Sequence, residues 1–482
     1  MDFQDLKDDD LRMIFDGVSW KTPPKRHQLI SLAWGFDKAR VSLWHGIGTG
    51  KSLTALYLHD LWDTQRHLVV CPNSVVGGWA EQIGLHTNHR PIILRGTQDE
   101  RRFALFNGGP GVYVVNYEGL LSIFCDTVET EDEDGRRRVK HVPNFQLCKD
   151  ARIDGVTADE CHALANPKAI QTKTFHLLSK LARHAIIMTG TPISTIEQNL
   201  WGEYWCLDDG KTLGSNQWWF LKQYFRQDFW GGWKIKPEER ESLLARVTPV
   251  TLRFSREECV DLPERMYETR TMAMTADQVR IHRSIALGAE FDLYGRKVTI
   301  ESEQAAGKLS QVAGGFLIVG DETIRLKDNP KLNDVADTLD EVDGKIIIFH
   351  AYVEEGRMLE ELCVKKKIPH VALRGEVNDK TGAVERFQRD PHCRVLVAHP
   401  RSGGVGLNLQ VATVAGFYSN GLYGAVVREQ AEGRIFRTGQ TKPCLFIDWE
   451  LEGSLDSRHI HRIERQADVL QTSLDFVRSY KS

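Results

Sequence analysis

Two series of short, apolar, β-branched runs stand at opposite ends of this 482-residue chain, with helix-like text between neighbouring runs. The early series reads RHLVVCP, VYVVNY, RIDGVTADE and HAIIMTG; the late series reads KIIIFHAY, PHVALRG, RVLVAHP and VAGFYSN. Strands apolar on both faces and spaced by helices belong to parallel sheets covered on both sides. Two series predict two α/β lobes rather than one large sheet, and the length exceeds what one core ordinarily organises. From about Trp201 to Asp328 the strand signal fades into helix-like, aromatic and charged text. The expected organisation is a first lobe over 1–260 with a helical insertion at about 201–250, then a second lobe over 261–482 with one at about 270–327.

Charge narrows the partners only by location. The net charge of −4 is carried by the opening MDFQDLKDDD, with five acids and one lysine, so the remainder is formally neutral. Any nucleic-acid surface must therefore be a local basic track. The acidic start is unlike a secretory signal, and no run approaches the roughly 18 apolar residues that would span a membrane. Nine scattered cysteines with no CxxC pair predict a reduced, intracellular chain. Cys148 with Cys161 and His162 lacks the usual zinc-ligand spacing.

Two unusual stretches have simple structural readings. In ETEDEDGRRRVK, Glu129 to Lys140, acids followed by bases around a glycine predict a solvated hairpin or loop, the alternative being Arg136 to Arg138 on a phosphate backbone. In NQWWFLKQYFRQDFWGGW, Asn216 to Trp233, Trp218, Phe225 and Phe229 fall on one helical face, which predicts core packing. The alternative is a DNA-facing wedge or a surface for a protein partner.

SLWHGIGTGKSLTALYL reads as a strand end, a glycine-rich turn and a helix. Gly48, Thr49, Gly50, Lys51 and Ser52 form a phosphate-binding loop: glycines let N–H groups close around phosphate oxygens at a helix N-terminus. Lys51 then reaches the β- and γ-phosphates of ATP, and the Ser52 hydroxyl ligates Mg²⁺. The strict pattern wants glycine at position 45, where this chain has His45. About a hundred residues later, TADECH follows an apolar run where a parallel strand should end. Asp159 there suits Mg²⁺ coordination, and Glu160 can orient or deprotonate an attacking water. A thiol nucleophile at Cys161 would need an activating neighbour, and the sequence places none beside it.

These motifs, with PPKRHQ, LVVCPNSVVGGWAEQI, VYVVNYEGL, DECHALANPKA, MTGTPIS, SGGVGLNLQVA and QAEGRIFRTGQTK, resemble the superfamily 2 helicase-like ATPases of the SWI/SNF type, double-stranded DNA translocases, in order from about Pro23 to Ile460. VTLRFSREECVDLPERMYETRTMAMTADQ resembles that group's linker. The WNP of the group is altered here to YGA, Tyr423 to Ala425. The resemblance implies two RecA-like lobes, ATP and Mg²⁺ as cofactors, and double-stranded or branched DNA as partner. By resemblance Gln28 is the adenine contact, Gly406 and Gln430 join the nucleotide site, and Cys161 fills a small-residue slot. His162 would relay nucleotide state to Thr189, Gly190 and Thr191. Duplex contacts would be Ser74, Asn116 and Tyr117 in the first lobe, and His350, Arg374 and Ser402 in the second.

Arg434 and Arg437, three residues apart, share a helix face. Arginines that stabilise charge on a transferring phosphate are worth about 10³–10⁵ in rate. Their location in the second lobe, with the loop in the first, couples hydrolysis to lobe movement. The expected function is an ATP-dependent, monomeric motor on double-stranded DNA that remodels DNA or bound proteins, migrates branches or reanneals forks. A strand-separating helicase and a non-hydrolysing clamp are the alternatives. Such a minimal form suits a bacterium or a virus-infected cell.

Overall fold

The computed structural model describes residues 6–131, 137–190, 197–227, 232–259, 263–373, 380–401, 409–419, 424–437, 439–461 and 463. They fall into two compact units that divide between residues 261 and 262. In chain order the first unit lays down β1 (Arg40–His45), β2 (Arg66–Cys71), β3 (Pro91–Ile93) and β4 (Gly111–Asn116). A hairpin of β5 (Cys125–Glu131) and β6 (Arg137–Pro143) follows, then β7 (Gly155–Asp159) and β8 (His184–Thr189). A small hairpin of β9 (Phe225–Gln227) and β10 (Trp233–Ile235) precedes β11 (Thr251–Phe254).

Seven of these strands form one sheet in the order β11-β1-β8-β7-β2-β4-β3, and every pairing in it is parallel. Successive side chains of a strand point to opposite faces. Along β8, Ala185 and Ile187 enter one apolar cluster while Ile186 and Met188 enter the other. Both faces are thus covered, which is why the sequence of these strands is apolar throughout rather than alternating.

The second unit begins with β12 (Arg265–Met272), followed by two short hairpins, β13 (Phe291–Asp292) with β14 (Lys297–Val298) and β15 (Phe316–Val319) with β16 (Glu322–Arg325). Then come β17 (Ile346–Phe349), β18 (His370–Leu373), β19 (Val395–Ala398), β20 (Val414–Phe417) and β21 (Cys444–Leu451). Its main sheet runs β12-β21-β20-β17-β19-β18, again parallel throughout. Leu396 and Ala398 of β19 face one cluster, Val395 and Val397 the other. The fold is the expected α/β pair of RecA-like lobes.

Between β12 and β17 a separate small core gathers Ile281 and Ile285 of the helix Ala276–Leu287 with Phe291, Leu293, Val298 and Leu317. That segment mixes three helices, Ala276–Leu287, Ala305–Ala313 and Pro330–Glu341, with the two hairpins. The charged stretch near residue 130 is the β5–β6 hairpin, with Glu129 opposite Val139, and its tip lies outside the described residues.

The aromatic stretch departs from the expected single helical face. Its helix, Gln217–Tyr224, is capped by the Asn216 side chain and stops before Phe225, which starts β9. Phe220 and Tyr224, one turn apart, are buried with Phe225, whereas Trp218 and Trp219 are 51% and 66% exposed. Phe225 leaves the helix with extended backbone, φ −126° and ψ 156°, and pairs with Ile235 in the β9–β10 hairpin. Phe229 lies outside the described residues. Among the described residues no helix is long and apolar enough to cross a membrane.

Candidate functional site

Three neighbouring strands, β1, β8 and β7, end at the same edge of the first sheet, and the candidate catalytic residues stand there. Carboxyl ends of parallel strands are where α/β folds build ligand sites. After β1 the chain turns through Gly48 and Gly50, at φ 81° and 85°, a left-handed backbone that glycine adopts without strain. Gly50 caps the helix Lys51–Leu61. The loop cradles closely: a Cβ on Gly50 would stand 2.4 Å from Gln28 Nε2, and one on Gly190 would stand 2.6 Å from Ile47 Cγ1 and 3.2 Å from Lys51 Nζ. His45, at the position where strict loops have glycine, ends β1 fully buried and packs against Phe254.

Lys51 Nζ donates to the His45 carbonyl at 2.9 Å, so the ammonium lies over the loop. Gln28 is buried against the same loop; its amide donates to the Gly50 carbonyl at 3.1 Å and its oxygen accepts from the Lys25 N–H at 2.8 Å. Ser52 is the second residue of the helix.

Asp159 ends β7 and Glu160 follows it. Burial and the adjacent Glu160 push the Asp159 carboxyl up, while Trp79 and Lys51 pull it back. The Trp79 indole donates to Asp159 Oδ2 at 2.9 Å. Glu160 holds a left-handed backbone, φ 53°, a conformation that costs a non-glycine residue about 1–3 kcal/mol and that clusters at functional sites. Its Oε2 accepts from the Thr189 hydroxyl at 3.1 Å and lies 3.5 Å from His162 Nδ1. Gly190 follows Thr189, and Thr191 lies outside the described residues. Cys161 is buried and donates to Glu203 at 3.4 Å; burial first, then Glu203, push its thiol well up, so it stays a neutral packing group.

ATP and Mg²⁺ fit these residues: helix N–H groups and Lys51 for phosphate, and Ser52 with a deeply placed carboxylate for a divalent cation. Among the described residues no group of three or more His, Cys, Asp and Glu is placed to hold a metal ion.

The duplex candidates separate. Ser74 is exposed in the short turn Asn73–Val75, and Asn116, half-buried, donates to Glu118 at 2.7 Å. Tyr117 does not offer its side chain to a duplex: it is 4% exposed, and its hydroxyl donates to the Asp159 carbonyl at 2.8 Å. His350 is also withdrawn, 1% exposed, with Nδ1 at 2.9 Å from the Tyr352 carbonyl. Each stands one residue past a strand end, Tyr117 after β4 and His350 after β17, with its side chain buried. Arg374, Ser402 and Gly406 lie outside the described residues.

In the second unit the helix Ala425–Glu432 carries Gln430 and ends at Gly433, so Arg434 and Arg437 do not share a helix face. Glycine is a poor helix residue, and the chain continues in tight turns, with Ile435 N–H bonded to the Glu432 carbonyl at 3.0 Å. That turn is anchored through its carbonyls: Arg434 accepts from Leu409 N–H at 2.9 Å and Arg437 from Gln410 Nε2 at 3.1 Å. Arg434 Nη2 donates to the Pro400 carbonyl at 2.7 Å, while its buried Nη1 has no partner among the described residues. Burial lowers the Arg434 guanidinium to about 10 and also lowers Arg437. Upstream, Arg428 clasps Asp448 with both terminal nitrogens, at 2.5 and 2.9 Å, and stacks 3.5 Å over Phe417.

Sequence reasoning gave no role to Trp79, Glu203, Arg256 or Arg428. Arg256, in the text after β11, donates to the Ile47 carbonyl at 2.7 Å, so the linker buttresses the loop. Separations of 209 residues for that contact and 80 for Trp79 with Asp159 leave no local pattern to read.

The chain matches known families and proteins along most of its length. The SNF2-related domain family matches residues 25–313, more than half of the chain, and the helicase conserved C-terminal domain family matches residues 330–439. The DNA repair and recombination protein RDH54 of Saccharomyces cerevisiae (strain RM11-1a) is 24% identical over 441 residues, covering 82% of this chain and 45% of that protein. Zorya protein ZorD of Escherichia coli O139:H28 is 26% identical over 470 residues, covering 89% of this chain and 41% of ZorD. Putative protein p41 of Acyrthosiphon pisum secondary endosymbiont phage 1 is 24% identical over 414 residues, covering 80% of this chain and 83% of p41. The chain thus spans less than half the length of RDH54 and ZorD. Among solved structures, the Sulfolobus solfataricus SWI2/SNF2 ATPase core in complex with dsDNA aligns with TM-score 0.42 and 18% identity, covering 94% of this chain and 92% of that one.

Proposed function

This chain belongs to the SNF2-related family of superfamily 2 helicase-like ATPases, and from that premise we propose that it is a DNA-dependent ATPase that tracks along double-stranded DNA. The observation that carries the reading is the convergence of Lys51, Asp159, Glu160 and Thr189 at one edge of a parallel sheet. Lys51 and the loop N–H groups bind phosphate. Asp159 with Ser52 holds Mg²⁺, which supplies charge neutralisation at the transferring phosphate. Glu160, fixed by Thr189, orients the attacking water and accepts its proton. Arg434 and Arg437 stabilise charge on the transferring phosphate from the second unit, so that hydrolysis and lobe movement are one event. Ser74 and Asn116 contact the duplex backbone, joined by Arg374 and Ser402. His162 and Thr189 report nucleotide state to that surface. The motor acts as a monomer on double-stranded or branched DNA, and the exposed Trp218 and Trp219 give a protein partner a place to dock.

RDH54, a relative of this chain, is by name a DNA repair and recombination protein, which favours DNA over other polyanions. The test is steady-state ATP hydrolysis with no DNA, single-stranded DNA, linear duplex and a branched junction, with Glu160→Gln as blank. Stimulation by duplex, absent in the blank, is the expected result. Preference for single strands would replace the translocase with an unwinding helicase, and blank-level rates throughout would replace it with a clamp.

A further inference from the structure

Trp79 lies on the helix Val76–His86 that follows β2, 2% exposed, and its indole N–H is aimed at the side chain that ends β7. A buried indole needs an acceptor, and a main-chain carbonyl would satisfy it. Here the acceptor is the carboxylate of Asp159, 2.9 Å away. The other end of Asp159 is held as well, since the Tyr117 hydroxyl donates to its carbonyl at 2.8 Å. Two aromatic donors, from the segments after β2 and after β4, thus grip one residue. A carboxylate otherwise has two equivalent oxygens and a broad, two-fold terminal torsion.

From this geometry we infer that Trp79 is a positioning residue of the metal site: it occupies Oδ2 of Asp159 and presents Oδ1 to the divalent cation. The inference deepens the ATPase reading and rests on it for the identity of the cation. Groups that orient a metal-binding carboxylate from behind typically change metal affinity or activity by 10–100-fold when removed. Trp79→Phe keeps an aromatic ring in the core and deletes the N–H.

The decisive experiment measures Mn²⁺ binding by the intact chain with a non-hydrolysable ATP analogue, reading free Mn²⁺ by electron paramagnetic resonance. Trp79→Phe should weaken Mn²⁺ by roughly tenfold, with analogue affinity in EDTA unchanged. Equal Mn²⁺ affinity in parent and variant overturns the inference. A second readout needs no change at Trp79. Among the 12 tryptophans, one indole ¹⁵N–¹H resonance should move in Asp159→Asn, and Mn²⁺ with the analogue should broaden that same resonance in the parent. No indole resonance responding to both also overturns it. Hydrolysis is measured separately. A parent that binds Mn²⁺ and analogue but never hydrolyses ends the ATPase reading alone, whereas a hydrolysing parent with no Trp79 effect ends this inference alone.

Discussion

The Thr189 hydroxyl donates to Oε2 of Glu160 at 3.1 Å, tying together the ends of β7 and β8, which pair Asp159 with Met188. The bond steadies a carboxylate whose backbone is already left-handed. Thr189→Val preserves shape and deletes the donor. A hydrogen bond to a charged group contributes about 1.5–3 kcal/mol, so kcat should fall roughly 10–100-fold with KM for ATP nearly constant. An ATP titration in saturating duplex decides it; a change confined to KM would remove Thr189 from the hydrolytic step.

Lys51 Nζ rests on the His45 carbonyl of the loop, where the proposed function has it meet phosphate. Its removal in Lys51→Ala should weaken nucleotide binding by roughly 10–100-fold, the range for a charge-assisted bond. Displacement of a fluorescent nucleotide reads this without hydrolysis, and unaltered affinity would contradict the assigned loop.

Glu203 is buried behind Cys161, and burial raises its carboxyl from about 4.5 to about 8. Its folded-state value lies above the unfolded one, so the stability it contributes is full below pH 4.5 and is lost as pH rises through 8. Across that window the unfolded chain has released a proton that the folded chain keeps, and stability declines by up to about 1.4 kcal/mol per pH unit. Glu203→Gln removes this component. Urea unfolding at pH 5, 6, 7 and 8 should show a flatter profile in the variant, and parallel profiles would place Glu203 outside the titrating set.

Trp219 and Phe220 are adjacent yet differ in burial, 66% and 2% exposed. Phe220→Ala should cost about 3–5 kcal/mol, and Trp219→Ala should stay within about 0.5 kcal/mol. Chemical denaturation of the two variants separates them, and comparable losses would mean that the tryptophan is covered in solution.

Arg428, buried between Asp448, Glu432 and Phe417, anchors the helix before the arginine turn. Arg428→Ala leaves Asp448 without its bidentate partner and should destabilise by about 3–5 kcal/mol. Arg428→Lys should restore little, because an ammonium cannot make the planar fork. Thermal unfolding tests both, and full recovery with lysine would reduce the fork to a simple charge.

What was legible in the sequence was what is local. Each of the eight apolar runs became a strand; all but the edge strand β18, which is buried at alternate positions, are buried nearly throughout, because burial on both faces writes an apolar residue at nearly every position. β11 and β12 went unread: one is four residues long, and the other alternates charge along the edge of its sheet. The glycine-rich turn before Lys51 and the strand end at Asp159 are readable because both are local features of the text. Tyr117 and His350 were assigned by their place in a motif, which carries no information on side-chain direction, and both point inward. The arginine spacing suggested one helix face, but Gly433 ends the helix first. Trp79 was in plain view and still silent, since its partner is 80 residues away.

The order of strands has a consequence for how the chain is made. β1, which leads into the phosphate loop, pairs with β8 on one side and β11 on the other, residues 184–189 and 251–254. The strand synthesised first in this sheet therefore waits for the two synthesised last. During translation its Val41, Leu43 and Trp44 have no neighbour in the sheet until well over a hundred further residues have left the ribosome. β2, β4 and β7 can meet beforehand, so the half-sheet bearing the acidic pair assembles ahead of the half bearing the lysine. A nascent chain of this protein must keep an apolar strand shielded for most of the time its first lobe takes to emerge.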